Sequence, residues 1–255
     1  MAETKDYIKF LGTAGARFVM IKQLRYSGGL WVSSGGTNIL IDPGPGSLAR
    51  CAASRPRLDP STLDGIILTH RHLDHSGDIN VMIEAMTEGG FKKRGTVFCP
   101  QDALEGDPVI LRYLRGFPEK INVLEPNKEY SCGTIVFSTS MRHLHPVETY
   151  GLKFSLGRTK IAYMVDTGYF PELPDFYKAD CLIIGVVLLE PRPSIMHLSM
   201  PEVRELLVKI KHGRVVLTHF GMHMLKARPK EIAENLSKEL DMDIIAAYDG
   251  MKLEF

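Results

Sequence analysis

No apolar stretch in this chain of 255 residues is long enough to cross a bilayer. The longest, Cys181 to Leu189, falls far short of the roughly 20 residues that a spanning helix needs. An excess of charge is also missing. The 31 basic and 30 acidic residues leave a formal net charge of +1, which argues against binding nucleic acid through bulk electrostatics and leaves only a local basic groove open. Paired cysteines are absent too: Cys51, Cys99, Cys132 and Cys181 are scattered, with no close pair of the kind that builds a zinc ribbon. Reduced, mostly buried thiols in an intracellular protein are therefore expected. The opening Met-Ala-Glu-Thr-Lys-Asp lacks the basic and apolar regions of a signal peptide. There is neither a repeat of fixed period nor a low-complexity segment. The expectation is a soluble, cytoplasmic protein with no membrane partner. A hydrophobic content of 44% is enough for a sizeable core.

The hydrophobic pattern divides the chain into short segments. Ile8 to Gly12 reads as a strand entering a glycine turn, Gly12 to Gly15, which lacks the spacing and the lysine of a phosphate loop. Leu30–Ser33 and Thr37–Asp42 read as a hairpin around Gly35-Gly36, and Ser47 to Ala53 as a short helix. A strand is expected over 66–69, a helix over 78–87, and strands over 96–99 and 121–124, with partial helix over 101–117 burying Leu111, Tyr113 and Leu114. Residues 134–141, 150–156 and 160–165 are strongly β, the last two pairing across Gly157-Arg158-Thr159. A buried strand over 180–188 and a helix over 201–211 follow, with Ser199 as cap and Pro201 in its first turn. Strand 214–218, helix 229–240 and strands 242–248 and 251–255 close the chain. This order predicts an α/β chain of two sheets with helices outside, built as one domain over 1–255, since no linker divides it.

One stretch is not explained by folding. Ile66-Ile67-Leu68-Thr69 runs directly into His70, His72, Asp74 and His75. Imidazole and carboxylate are ordinary ligands for zinc and similar divalent ions. The plain alternative, a solvated polar loop, does not account for four such residues at the end of one apolar strand. Other strands end the same way: Asp42 after 39–41, His143 and His145 after 134–141, Asp166 after 161–165 and His219 after 215–218. Strand ends along one rim converge in space, so distant segments can assemble one site. His223 and His212 read as surface histidines. Met82 and Met86 read as packing, as do Met222 and Met224 unless they line a pocket. Trp31 is open between the core and the mouth of a site. Lys92-Lys93-Arg94 reads as a solvated loop.

The segment Thr69-His70-Arg71-His72-Leu73-Asp74-His75-Ser76-Gly77 resembles the signature of the metallo-β-lactamase superfamily. His145 with Tyr150-Gly151, Asp166 with Thr167-Gly168, and Thr218-His219 are similar to its later motifs, in order. Phe10 to Thr13, Leu40 to Gly44 and Ala247 to Met251 extend the resemblance over nearly the whole chain. It implies a four-layer αβ/βα sandwich, two mixed sheets face to face with outer helices, and a site along one edge. Its roles, carried over by position, give His70, His72 and His145 to one metal and Asp74, His75 and His219 to a second, with Asp166 bridging. Asp42 is then expected to orient a histidine, and His143 to be a supporting or surface residue. Two divalent ions are implied as cofactors, zinc first, with manganese, iron and nickel as alternatives.

The resemblance is nearest to the phosphodiesterase branch, which includes tRNA 3′-processing nucleases and cyclic phosphodiesterases. Ile195-Met196-His197-Leu198-Ser199 is similar to a motif there whose histidine contacts phosphate or protonates the leaving oxygen; its plain alternative is a helix-start residue. Leu182 to Val186 lacks the His-Glu pair of the nucleases, and there is no long Gly/Pro-rich arm, both of which weigh against tRNA processing. The expected function is hydrolysis of a phosphodiester, a cyclic phosphate or short nucleotide, by hydroxide held between two metals, with Asp74 and His197 touching the reacting groups. The expected partner is a small phosphate-containing substrate; nucleic acid stays open without support from the charge, and homo-oligomerisation is open too. A thioester or lactone hydrolase of the glyoxalase II type is the alternative. An iron-dependent dioxygenase ranks lower, because the di-iron relatives carry glutamate where this chain has His72. A non-catalytic scaffold ranks last.

Overall fold

A computed structural model describes residues 5–210 and 213–255. The first four residues, Lys211 and His212 lie outside it, and with them the reading of His212 and part of that of the N-terminus. The strands are β1 (Tyr7–Phe10), β2 (Leu30–Ser34), β3 (Thr37–Ile41), β4 (Gly65–Ile67), β5 (Thr96–Cys99), β6 (Lys120–Val123), β7 (Glu129–Cys132), β8 (Ile135–Arg142), β9 (Tyr150–Leu156), β10 (Thr159–Met164), β11 (Cys181–Gly185), β12 (Arg214–Thr218), β13 (Asp243–Ala246) and β14 (Lys252–Glu254). The helices are α1 (Ala16–Ile21), α2 (Ser47–Ala53), α3 (Leu73–Ser76), α4 (Ile79–Met86), α5 (Leu173–Phe176), α6 (Met200–Lys209), α7 (Met222–Lys226) and α8 (Pro229–Leu240).

Two seven-stranded sheets result, ordered β14-β1-β2-β3-β4-β5-β6 and β13-β12-β11-β10-β9-β8-β7. Each is mixed. Strands β3 to β6 run parallel, as do β10 to β13. Strand β8 is antiparallel to β9, and β9 to β10, so β8 points the same way as β10.

The sheets pack face to face. Ile39, Ile41, Ile67 and Phe98 of the first meet Phe137, Leu152, Phe154, Ile161 and Ile183 of the second. On the outer side of the first sheet, Trp31, Leu40, Ile66 and Leu68 pack on Cys51 of α2 and Met82, Ile83 and Met86 of α4. Beyond the second, Met164, Leu182, Ile184 and Leu217 pack on Val203, Leu206 and Leu207 of α6 and on Ala233 and Leu236 of α8. This is the expected four-layer sandwich. Central strands covered on both faces require unbroken apolar runs, and for that reason Ile39-Leu40-Ile41 and Leu182-Ile183-Ile184 do not alternate. Each such side chain, fully buried, contributes about 1.5–3 kcal/mol. Helix α6 begins as expected: Ser199 N–H donates to Glu202 Oε2 at 2.8 Å, one arm of a capping box.

Some local expectations need correction. The His/Asp cluster is not wholly a loop, since Leu73–Ser76 forms a turn of helix with His72 at its N-cap. The buried strand after Asp180 leaves the ladder at Gly185, where its partner β12 also ends. Of the residues expected to be buried in 101–117, only Leu114 is; it turns inward with Ile110 and leaves Leu111 and Tyr113 on the outside. The helical turns α5 and α7 are too short for a 3.6-residue period to register, and the edge strand β7 carries only Tyr130 and Cys132 as apolar residues. Helix α1 presents Phe18 and Ile21 to solvent, so its apolar residues do not mark a buried stripe.

All four cysteines are free and buried, and burial pushes each thiol up to about 12. At pH 8 the native protein should therefore leave Ellman's reagent essentially unreacted, and denaturant should release four titratable thiols. Fast labelling of any one in the native state would contradict this burial.

Candidate metal centre

Strand direction assembles the site. Strands β3, β4, β8, β10 and β12 end at one edge of the sandwich, and their next residues carry Asp42, His70, His143 with His145, Asp166 and His219. The turn α3 follows β4 and adds Asp74 and His75. The sheets are joined at this edge, where Tyr150 N–H donates to Thr69 O at 3.2 Å. Two positions need missing side chains. A Cβ on Gly44 would lie 2.0 Å from Asp74 O, and one on Gly15 2.0 Å from His219 O. Asp42 and His219 themselves have φ of 54° and 57°, the left-handed region. Such conformations are uncommon outside glycine and are tolerated best by short polar residues.

The residues expected to be ligands form two groups, each with its ligand atoms within 4.8 Å of one another. One comprises His70, His72, His145 and Asp166, and the other Asp74, His75, Asp166 and His219. Asp166 belongs to both. Its Oδ2 is 3.6 Å from His70 Nε2 and 3.5 Å from His75 Nε2, and its Oδ1 is 3.1 Å from His219 Nε2. His145 Nε2 faces His72 Nδ1 at 3.0 Å, and His75 Nε2 faces His219 Nε2 at 3.3 Å.

Outer hydrogen bonds set the tautomers. His145 Nδ1 meets Met196 O at 3.1 Å, and a carbonyl can only accept, so the ring carries its proton there. His75 Nδ1 likewise donates to Asp42 Oδ2 at 3.0 Å. Thr69 O–H donates to Asp42 Oδ2 at 2.8 Å, so its oxygen accepts from His70 Nδ1 at 3.1 Å. When neutral, all three rings thus turn an Nε2 lone pair inward, and His70 Nε2 is fully buried without a hydrogen-bond partner. Lone pairs and carboxylates facing one another need a cation between them. The donor set, imidazole nitrogen and carboxylate oxygen, fits a divalent transition metal.

The electrostatics agree. Burial, reinforced by the neighbouring His75, holds His70 well below its ordinary value, and burial lowers His145 to about 4. Both are neutral, as ligands must be. Burial opposes ionisation of Asp166, but the facing imidazoles of His219 and His197 outweigh it and hold the carboxyl well below the usual range. For His75, too, burial is outweighed, here by Asp74 and Asp42, and its pKa is raised well above normal when no metal competes.

Asp42 is the anchor: besides His75 and the Thr69 hydroxyl, it accepts Thr69 N–H at 2.7 Å. His143 is buried and supports the site. Its Nδ1 donates to Asp166 O at 3.0 Å, and its Nε2 lies 2.5 Å from Tyr177 Oη. Tyr177 was not identifiable from sequence, because its link to Asp166 exists only through this ring. The same holds for Met196, whose carbonyl orients His145. His197 joins the centre, with Nδ1 3.7 Å from Asp166 Oδ1 and its ring 5.2 Å from that of His145. Trp31 is in the core, and so is Met224, whereas Met222 lines the cleft beside the centre. His223 is exposed, as expected.

A family profile described as "Beta-lactamase superfamily domain" matches residues 37–220. The chain belongs to the metallo-β-lactamase superfamily. Among curated relatives of this superfamily member, the uncharacterized protein MJ1374 of Methanocaldococcus jannaschii is 28% identical over 97% of this chain and 94% of its own. Among solved structures, the metallo-beta-lactamase fold protein YhfI of Bacillus subtilis superposes with a TM-score of 0.74 at 21% identity, covering 99% of this chain and all of that one. A diphosphatase from the PhnP family gives 0.74 at 19% identity, covering 99% and 98%. The fold is that of the superfamily's metallo-hydrolases, and the His/Asp cluster lies at its edge.

Removing the anchor tests the geometry. Asp42→Ala frees three donors at once, and metal affinity should fall by about 10–100-fold, the usual effect of losing a ligand's supporting hydrogen bond. Competition with a fluorescent chelator measures it, and unchanged affinity would show that Asp42 does not orient His75.

Proposed function

We propose that the chain is a phosphodiesterase with two divalent metals, His70, His72 and His145 holding one, Asp74, His75 and His219 the other, and Asp166 shared. The observation that supports this reading is the position of His197, a non-ligand imidazole 3.7 Å from the shared carboxylate and lining the open cleft. Bound metals, zinc foremost, would supply an activated water and positive charge opposite the reacting group. The chain's own residues do the rest. Asp74 accepts a hydrogen bond from the attacking water, orients it and takes the proton it gives up. As the new P–O bond forms and the ester P–O bond breaks, the departing oxygen takes a proton from His197. Burial opposes charge on that ring, but in the metal-free protein Asp166 outweighs it and raises its pKa. The same ligand set could serve attack on carbon in a thioester or lactone. A histidine poised to protonate a poor alkoxide leaving group weighs against the thioester, whose thiolate leaves without a proton.

The metal-loaded protein should hydrolyse bis(p-nitrophenyl) phosphate in preference to S-lactoylglutathione, lose activity to a chelator and regain it with metal. The reverse preference would overturn the phosphodiesterase reading; metal loss without activity loss in His70→Ala or Asp166→Ala would overturn the metal-dependent one.

His197→Ala should lower kcat by about 10²–10⁴-fold on alkyl phosphodiesters, the usual contribution of a general acid. On p-nitrophenyl esters, whose leaving group needs no proton, the loss should be far smaller. Equal losses on both would remove His197 from that role.

A further inference from the structure

We propose that the substrate carries a second phosphoryl group, received by Arg17 and Arg192, with an apolar unit about the size of a nucleoside between it and the scissile bond. This rests on the phosphodiesterase reading and narrows it to a substrate class. The cleft beside His72, His145 and His197 has a volume of about 620 Å³, within the range that small-molecule sites occupy. No carboxylate lines it. Its charged groups are Arg17 and Arg192, with His223 beside the latter, Arg192 Nη2 lying 3.5 Å from His223 Nδ1. Arg17 and Arg192 have no carboxylate partner among the described residues, unlike Arg71, Arg94, Arg204, Arg214 and Arg228 but like the other arginines, so what sets them apart is their place in the cleft.

Both arginines sit on segments tied to the metal centre. Arg17 lies in α1, two residues after Gly15, whose N–H donates to Phe220 O at 3.0 Å, and Phe220 follows His219. Arg192 lies between Pro191 and Pro193, which restrict its backbone, and its carbonyl accepts Ile195 N–H at 2.9 Å. The same loop ends at Met196, which holds His145. The walls between are apolar. Phe18, Ile195 and Met196 are 57%, 37% and 42% exposed, large apolar side chains left uncovered around one cleft. A flat apolar unit would cover them. Both arginines are exposed, and a guanidinium fork matches phosphate oxygens two at a time. Two forks and an imidazole suit a terminal phosphoryl group, which offers three oxygens and nearly two charges.

The probes are thymidine 5′-(p-nitrophenyl phosphate) and the same compound bearing a 3′-phosphate, which differ in one group. In the metal-loaded protein the 3′-phosphate should raise kcat/KM about tenfold or more, mainly through KM, as charge-assisted hydrogen bonds imply. Calorimetry should show thymidine 3′,5′-bisphosphate binding more tightly than thymidine 5′-monophosphate by a similar factor, with and without metal. In Arg17→Ala/Arg192→Ala, checked for an unchanged melting temperature, both ratios should fall towards one. A wild-type ratio near one, or a ratio that survives in the double variant, overturns the inference even if bis(p-nitrophenyl) phosphate is hydrolysed. No phosphodiester turnover with the binding preference intact would overturn the phosphodiesterase reading and leave the phosphoryl subsite standing.

Discussion

Five strands from two sheets end at one edge, and each delivers a nitrogen or a carboxylate into the same small volume. Those groups repel one another, or at best waste their lone pairs, unless a cation lies between them. Asp166 carries this constraint most fully. It is a carboxylate buried at the seam of the sandwich, and burying an unpaired charge is costly. It is tolerated because imidazoles face both of its oxygens, and because His143 grips its backbone carbonyl from behind. The four-layer packing exists independently of this arrangement, but it is what holds the repelling groups in position.

Rigidity around the centre is distributed. Asp42 holds Thr69 and His75, Thr69 holds His70, and Met196 holds His145, so that ring orientation is set before any ion arrives. Asp42 and His219 occupy left-handed backbone, a local strain of about 1–3 kcal/mol each by general experience. Gly44 and Gly15 make room where chain segments pass at backbone contact.

The two sides of the centre have different tasks. Behind it lie strand ends, short turns and buried hydrogen bonds. In front lies a cleft with apolar walls and arginines free of carboxylates, built from α1, the 191–197 segment and the start of α7. In the function proposed above, chemistry belongs to the buried side, and selection among substrates to the segments in front. His197 stands between them, in the 191–197 segment but within reach of Asp166.

Much of this was legible in the sequence. Apolar runs marked the buried strands, glycine and proline marked the turns, and a dense cluster of His and Asp after one strand marked the chemistry, because those features are local in the chain. Residues 37–41, 47–53, 214–218 and 229–240 needed no tertiary information. One-turn helices, the exposed helix α1 and the edge strand β7 escaped, since they bury too little to leave a period. The sequence by itself also determined which residue types would be available as ligands. Only the tertiary structure decided how they group, which ring nitrogen points inward, and that His143, Tyr177 and Met196 serve the centre from outside it. Those depend on contacts between segments 20 to 150 residues apart, which strand direction and hydrogen bonding across the seam create and no local pattern encodes.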